Sequence, residues 1–284
     1  MMRSRSAVLC VLAFVVVACR RDATFTEPIP AYAAIHWVHA LPDTMQEDFR
    51  IVDIVSNAGL YDQNFRGANM FYQGIEVGAR HLQIFNSSPD PFVSKQVMQD
   101  TVIDFAASDS ITLIHMGFAR TGSTPARQVH LFTDKAGDPG AGNLGFRVIH
   151  AGAGMGNVDV NLIRHRADTL TLPATPLVAN VAYGVASAYV TVAADPAVAT
   201  PESLRVVVTA AGTTTPILVN VALPVGENGD ATKNPIPGAR VARSAMTAVV
   251  VPRSVAGTTA PQTTVFTTPS AVILVDRRPP DTVP

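Results

Sequence analysis

The chain has few cysteines and little charge, and each shortage excludes a class of function. Its two cysteines, Cys10 and Cys19, lie near the start of a 284-residue chain, so the rest of the sequence has no thiol for a disulfide, a metal site or a nucleophile. Charged residues make up 15% of the chain, and the net charge is −1. Because binding to nucleic acid depends on clustered cations that displace counterions, we expect no nucleic-acid partner.

No apolar run is long enough to cross a bilayer as a helix. The longest, residues 7–18, has 12 residues, whereas a spanning helix needs about 20. The run follows Arg3 and Arg5, as the apolar core of a secretory signal follows a positive start. A buried core helix is the alternative, but the run has no amphipathic period. We therefore predict a signal peptide at residues 1–18.

The apolar run ends in residues 16–19, VVAC. This segment resembles the lipobox of bacterial lipoproteins, in which a small residue precedes an acylated cysteine. The resemblance implies that Cys19 is lipidated and anchors the protein to a membrane of the cell envelope, with residues 19–32 as a tether. Position 20 is not aspartate, which in that family implies delivery to the outer membrane, facing the periplasm or the cell surface. An unmodified cysteine after an ordinary cleavage site is the alternative.

Beyond the tether, short alternating runs rich in Val, Ile and Thr recur between turn residues, and no window has a helical stripe with caps. This pattern predicts an all-β protein of antiparallel, immunoglobulin-like β-sandwiches. The clearest expected strands are 34–40, 51–55, 81–85, 111–118 and 129–133, then 146–151, 158–163, 188–193, 204–209, 217–223, 246–251 and 271–276.

An internal repeat sets the number of domains. Residues 35–40 (IHWVHA) align with 146–151 (FRVIHA), and residues 111–133 align with 246–267. Because the matches keep the same order in both halves, we expect two tandem sandwiches. The predicted domains are residues 33–135 and 145–278, joined by a flexible Gly-rich linker at 136–144 and followed by a tail at 279–284.

Two shorter matches lie between these two long ones. Residues 52–54 (VDI) align with 158–160 (VDV), and residues 68–72 (ANMFY) align with 179–183 (ANVAY). This alignment makes residues 42–50 an insertion in the first half.

The FRVIHA and VDV segments of the second half, followed by NVAYG at 180–184, resemble the domain-of-unknown-function family DUF4397. The resemblance is weaker in the first half. It implies β-sandwiches of an exported bacterial protein. The family has no established activity, so the resemblance implies no catalytic residues.

The repeat selects two His–Asp pairs, His39 with Asp53 and His150 with Asp159. In a strand, each histidine shares a face with apolar neighbours, and an aspartate on the next strand could accept a hydrogen bond from its ring. A catalytic dyad is the alternative, which would make the protein an envelope hydrolase. We favour structural pairs, because both halves carry one and the chain has no G-x-S-x-G motif.

Other motifs give no cofactor or metal site. His36 and His39 are three residues apart, so a strand points them to opposite faces and they cannot share one ion. We expect no cofactor and no bound metal.

The first half holds most of the aromatic residues; beyond Phe146 come only Tyr183, Tyr189 and Phe266. A loop at residues 60–66 carries Tyr61, Asn64, Phe65 and Arg66, residue types that are common in recognition surfaces. We treat these four residues as a candidate binding loop, and a loop packed over the end of the sandwich is the alternative. The sequence as a whole favours a lipid-anchored envelope protein with a non-catalytic role in contact with a protein or glycan.

Overall fold

The computed structural model describes residues 30–54, 59–165, 170–195 and 203–283. The predicted signal peptide, Cys19 and most of the tether lie outside these residues. Strands and loops make up nearly all of the described chain, with one helix, α1 (Pro91–Ser94), of four residues. None of the described residues forms a helix that is both long and apolar enough to span a membrane.

The described residues form sixteen strands, eight in each half of the chain. In the first half these are β1 (Tyr32–Ala40), β2 (Glu47–Ile51), β3 (Gly59–Gln63), β4 (Gln73–Glu76), β5 (Gly78–Asn86), β6 (Val97–Phe105), β7 (Ser110–Met116) and β8 (Gln128–Thr133). In the second half they are β9 (Asn143–His150), β10 (Val158–His165), β11 (Val178–Val181), β12 (Val190–Ala193), β13 (Ser203–Ala210), β14 (Ile217–Ala222), β15 (Ala245–Val251) and β16 (Ser270–Arg277).

Each half is a sandwich of two four-stranded sheets, and the strand order is the same in both. The first sandwich has sheets β4-β1-β7-β8 and β3-β2-β5-β6, and the second has β12-β9-β15-β16 and β11-β10-β13-β14. The predicted all-β fold with two tandem β-sandwiches is thus confirmed. One detail differs from a purely antiparallel sandwich, because β1 pairs with β7, and β9 with β15, in parallel.

The hydrogen-bonded register supports the long matches of the repeat. Ile35 lies opposite Ile111 in the first sandwich, and Phe146 lies opposite Met246 in the second. The second match is wrong in its later part. It ends at residue 267, whereas β16, the counterpart of β8, begins only at Ser270. The loop between β15 and β16 is therefore longer than the loop between β7 and β8.

The strand prediction was wrong at one place and incomplete at others. The second strand is Glu47–Ile51, not residues 51–55, because its alternation places Phe49 and Ile51 in the core. Four strands were not expected. They are largely exposed or shorter than six residues, so their apolar alternation is weak: β3, β4, β6 and β11.

Alternation along β1 explains how the sheets stack. Ile35 and Trp37 point into the core of the first sandwich, between its two sheets. Val38 and Ala40 point the other way, into a third apolar cluster shared with Ile149 of β9 and with β15. The sheets containing β1 and β9 therefore pack face to face, and burial of apolar area between them holds the sandwiches together.

Polar side chains also cross this inner interface. Buried Arg147 on β9 donates to Thr247 Oγ1 at 3.0 Å and forms an ion pair with Asp134, just after β8. The same carboxylate accepts hydrogen bonds from Tyr72 and Thr112, each at 2.8 Å. Because a buried cation without a partner is costly, this network fixes how the inner sheets face each other.

Candidate functional site

The duplicated histidines occupy the same place in the two sandwiches. His39 and His150 lie at the ends of β1 and β9, and both are fully buried. Each ring meets an aromatic ring edge-on at 6.2 Å, Phe65 for His39 and Tyr183 for His150. The segments after β3 and β11 contact these histidines in the same way through the backbone. The N–H of His39 donates to Gly67 O, and that of His150 to Val185 O, each at 3.0 Å.

These contacts correct the shorter matches of the repeat. Gly67 corresponds to Val185, so residues 68–72 do not correspond to 179–183. Asn69 likewise corresponds to Ser187. Asn69 Oδ1 accepts a hydrogen bond from Trp37 N–H, and Ser187 Oγ accepts one from Val148 N–H. The sequence alignment matched similar letters at places that differ in the fold.

The aspartate of the first pair was also misassigned. Asp48, on β2, accepts from the N–H of Asp62 at 2.8 Å, just as Asp159 accepts from the N–H of Asn180 at 2.7 Å. Asp48 is therefore the counterpart of Asp159, and residues 42–50 are not an insertion. Asp53 lies near the surface, where it accepts from the N–H of His81 at 3.1 Å.

Neither predicted His–Asp pair forms. His150 Nε2–H donates to Gly156 O at 2.7 Å, and its Nδ1 accepts from Gly152 N–H at 3.1 Å. Asp159 instead accepts from two backbone N–H groups, those of Asn180 and Gly212, each at 2.7 Å. Both ring nitrogens of His150 are thus engaged as in a neutral imidazole, and proton uptake would break the bond from Gly152. Burial lowers the pKa of this ring, which also favours the neutral form.

His39 has an acidic partner that the sequence did not indicate. Its Nδ1–H donates to Gln63 O at 3.0 Å, and its Nε2 lies 3.5 Å from Glu47 Oε2. The same carboxylate oxygen lies 2.8 Å from Nδ1 of His115, directly across from His39 on β7. All three side chains are fully buried. Burial by itself would raise the pKa of Glu47, but the imidazoles of His115 and His39 outweigh this effect. The pKa of Glu47 is therefore lowered, and its carboxylate stays charged.

This buried group can hold a charge, but it cannot meet a substrate without a rearrangement, because its side chains have no solvent exposure. Among the residues that the structure describes, no three His, Cys, Asp or Glu side chains are placed to hold a metal ion. The duplicated histidines are therefore parts of the buried cores.

The candidate binding loop lies where the two sandwiches meet. Phe65 is 1% exposed and packs against Phe266, from the long loop before β16, with ring centroids 6.1 Å apart. The Arg66 guanidinium donates to the backbone oxygens of Val265 and Pro252, each at 2.8 Å. Phe65 and Arg66 thus pack against the second sandwich and join it to the first.

The other two predicted residues are more accessible, but Tyr61 lies on strand β3 and not in a loop. Its side chain is 44% exposed, and its ring lies 5.4 Å from the guanidinium carbon of Arg50 on β2. Asn64 lines a cleft together with Phe65 and Arg66. The structure thus brings three of the four predicted residues together at one cleft and leaves Tyr61 outside it.

The cleft, here called the junction cleft, has a volume of about 790 Å³. One wall comes from the first sandwich and includes Phe65, Arg66 and Met70; the other comes from the second and includes Leu223, Val265, Phe266, Ala271 and Ile273. Apolar side chains dominate both walls, as is usual for binding clefts. The second wall was missed by sequence reasoning, and Phe266, a rare aromatic residue in the second half, was its only signal.

Comparison with known families gives an architecture and no activity. Residues 33–161 match the model of DUF4397, a domain of unknown function. The match covers the first sandwich and continues into β10, so this part of the chain is similar to that family. No curated protein matches the chain.

Proposed function

We propose that this protein is a non-catalytic binding protein of the cell envelope, anchored through a lipid on Cys19, and that the junction cleft is its binding site. The observation that carries the proposal is the cleft itself, an apolar cavity whose walls come from two sandwiches that are locked together. A rigid cleft loses little conformational entropy when it binds a partner. The proposed partner is a protein or glycan of the envelope.

The buried histidines favour this role over that of an envelope hydrolase. A general base must reach within about 3 Å of the proton that it removes. His39 and His150 are fully buried, and the ring nitrogens of His150 are both occupied by backbone groups. The junction cleft, by contrast, presents exposed side chains, with Val265 at 70% and Met70 at 44%.

Photo-crosslinking in the producing cell tests the cleft. A photoreactive amino acid at Val265 should give adducts with envelope protein or glycan. Val102, which is 64% exposed on the outer strand β6, is the matched control position and should give none of them. Met70→Glu on the opposite wall should abolish the Val265 adducts, because the new carboxylate enters an apolar cleft. Equal adducts at both positions, or adducts that survive Met70→Glu, would contradict the cleft as the site.

Cell fractionation tests the anchor. Cys19→Ala should move the protein from the membrane fraction to the soluble fraction, since acyl chains contribute about 0.8 kcal/mol for each buried CH₂ group. Cys19→Ser gives a second variant without the thiol and should behave alike. Membrane association that is unchanged in both variants would exclude the lipid anchor while leaving the cleft proposal open to its own test.

A further inference from the structure

The junction cleft contains an open sheet edge. β16 is the last strand of the sheet β12-β9-β15-β16, so one side of its backbone has no hydrogen-bonded strand, although β14 of the other sheet lies close to it. The N–H of Val275 points to that side, where it donates to Met70 O at 2.9 Å. Because alternate residues of a strand direct their backbone groups to the same side, Ile273 and Ala271 also present their N–H and C=O groups there.

These two backbone positions have no hydrogen-bonded strand beside them on the open side. Ala271 and Ile273 line the junction cleft. Within the described ranges of the chain, their N–H groups have no hydrogen-bond acceptor. The contact of Val275 with Met70 closes the far end of the edge, so the open part is short and lies in the cleft. Unpaired edge groups of this kind are templates for an added strand.

The cleft also carries an unbalanced positive charge. The polar contacts of Arg66 are with backbone oxygens, and in the described part of the chain it forms no ion pair with a carboxylate. Burial lowers its pKa to about 10, so at neutral pH the guanidinium remains charged. A negative charge brought into the cleft would be attracted to it, and attraction is stronger where solvent is partly excluded.

We infer that the junction cleft binds an extended polypeptide segment that pairs with β16 at Ala271 and Ile273 and places an acidic side chain near Arg66. This inference rests on the proposed function, because it assumes that the cleft is the binding site. Strand addition gains affinity from main-chain hydrogen bonds and specificity from alternate side chains. The apolar walls suit alternate apolar side chains, whereas a glycan lacks the regular N–H and C=O spacing of a strand.

A displayed library of random heptapeptides, selected on the immobilised mature chain, tests the inference. The selected peptides should alternate apolar residues and share an acidic residue. A synthetic copy of the most enriched peptide is then the probe. Its binding should slow amide hydrogen exchange at Ala271 and Ile273, while exchange on the outer strand β6 stays unchanged.

Two variants at one position separate backbone pairing from packing. Ala271→Pro removes the N–H on the open side, where proline is tolerated in an edge strand, and should weaken binding of the synthetic peptide about tenfold. Ala271→Val adds similar bulk but keeps the N–H, so it should weaken binding much less. Replacing the acidic residue of the peptide by its amide should also weaken binding, because the attraction to Arg66 is lost.

The inference is overturned if no peptide is enriched, if Ala271→Pro and Ala271→Val bind the peptide equally well, or if exchange at Ala271 and Ile273 does not slow. An amide peptide that binds as tightly as the acidic one overturns the role of Arg66. These results are distinguishable from failure of the proposed function. Adducts at Val265 that contain only glycan keep the cleft as a binding site and exclude strand addition, whereas the absence of such adducts removes both.

Discussion

The two sandwiches share a strand order and a buried histidine, but they satisfy that histidine in different ways. In the second sandwich, both ring nitrogens of His150 bond to the nearby backbone, at Gly152 and Gly156. In the first, His39 faces a buried carboxylate, Glu47, which also contacts His115. The register places Val158 and Val250 where the first sandwich has Glu47 and His115. The same strand order therefore forms both with and without a charged group around the buried histidine.

The largest expected effect comes from removing Glu47. Glu47→Ala should lower the free energy of unfolding by about 3–5 kcal/mol, because two buried imidazoles lose their charged partner. The double variant Glu47→Met and His115→Leu copies the apolar character of the second sandwich at similar volume. It should stay within about 1 kcal/mol of the natural protein. Urea denaturation measures both. A Glu47→Ala protein as stable as the natural one would mean that the buried charge has no structural role.

Acid should act on both histidines, because burial lowers the pKa of His39 as well as that of His150 in the folded protein. At both positions the unfolded chain therefore takes up the proton first as the pH falls. The stability that neutral His150 contributes is present above about pH 6.5 and is lost below it, by at most about 1.4 kcal/mol per pH unit. His150→Gln should flatten the pH dependence of thermal unfolding between pH 7.5 and 5. Parallel curves for the two proteins would contradict this account.

The smallest expected effect distinguishes Asp53 from Asp159, the two aspartates that the sequence assigned as partners of the histidines. Asp159→Ala should cost about 1–3 kcal/mol, because it leaves two backbone N–H groups without their acceptor. Asp53→Ala should cost less than about 1 kcal/mol, since Asp53 lies near the surface, 3.8 Å from Arg80. Thermal unfolding of the two variants provides the comparison. Equal losses would indicate that Asp53 has a structural role like that of Asp159.

The sequence predicted the fold well where a strand is buried on alternate residues. β1 and β9 have this pattern, and their common segment also revealed the duplication. It failed at β2, because Val52 and Ile54, which continue an apolar alternation, lie beyond the end of that strand at Ile51. The short matches around them were misleading, since similar letters such as VDI and VDV are frequent in any β-rich chain.

The candidate site was only half predictable. Phe65 and Arg66 were selected for their residue types, and the structure places both at the junction cleft. Their contacts with the loop before β16 are separated by about two hundred residues in the chain. Local patterns carry no information about which loop a side chain will meet at such a distance, so the opposite wall of the cleft could not be predicted.

The sequence by itself determined an all-β chain with a duplicated pattern, because strand periodicity and order along the chain are local properties. Tertiary structure alone decided that the inner sheets pack face to face, that Glu47 and His115 surround one histidine, and that a cleft opens between the sandwiches. These features depend on residues distant in the chain that meet only when sheets stack. The physical reason is that burial fixes which face of a strand is apolar, but not which surface will cover it.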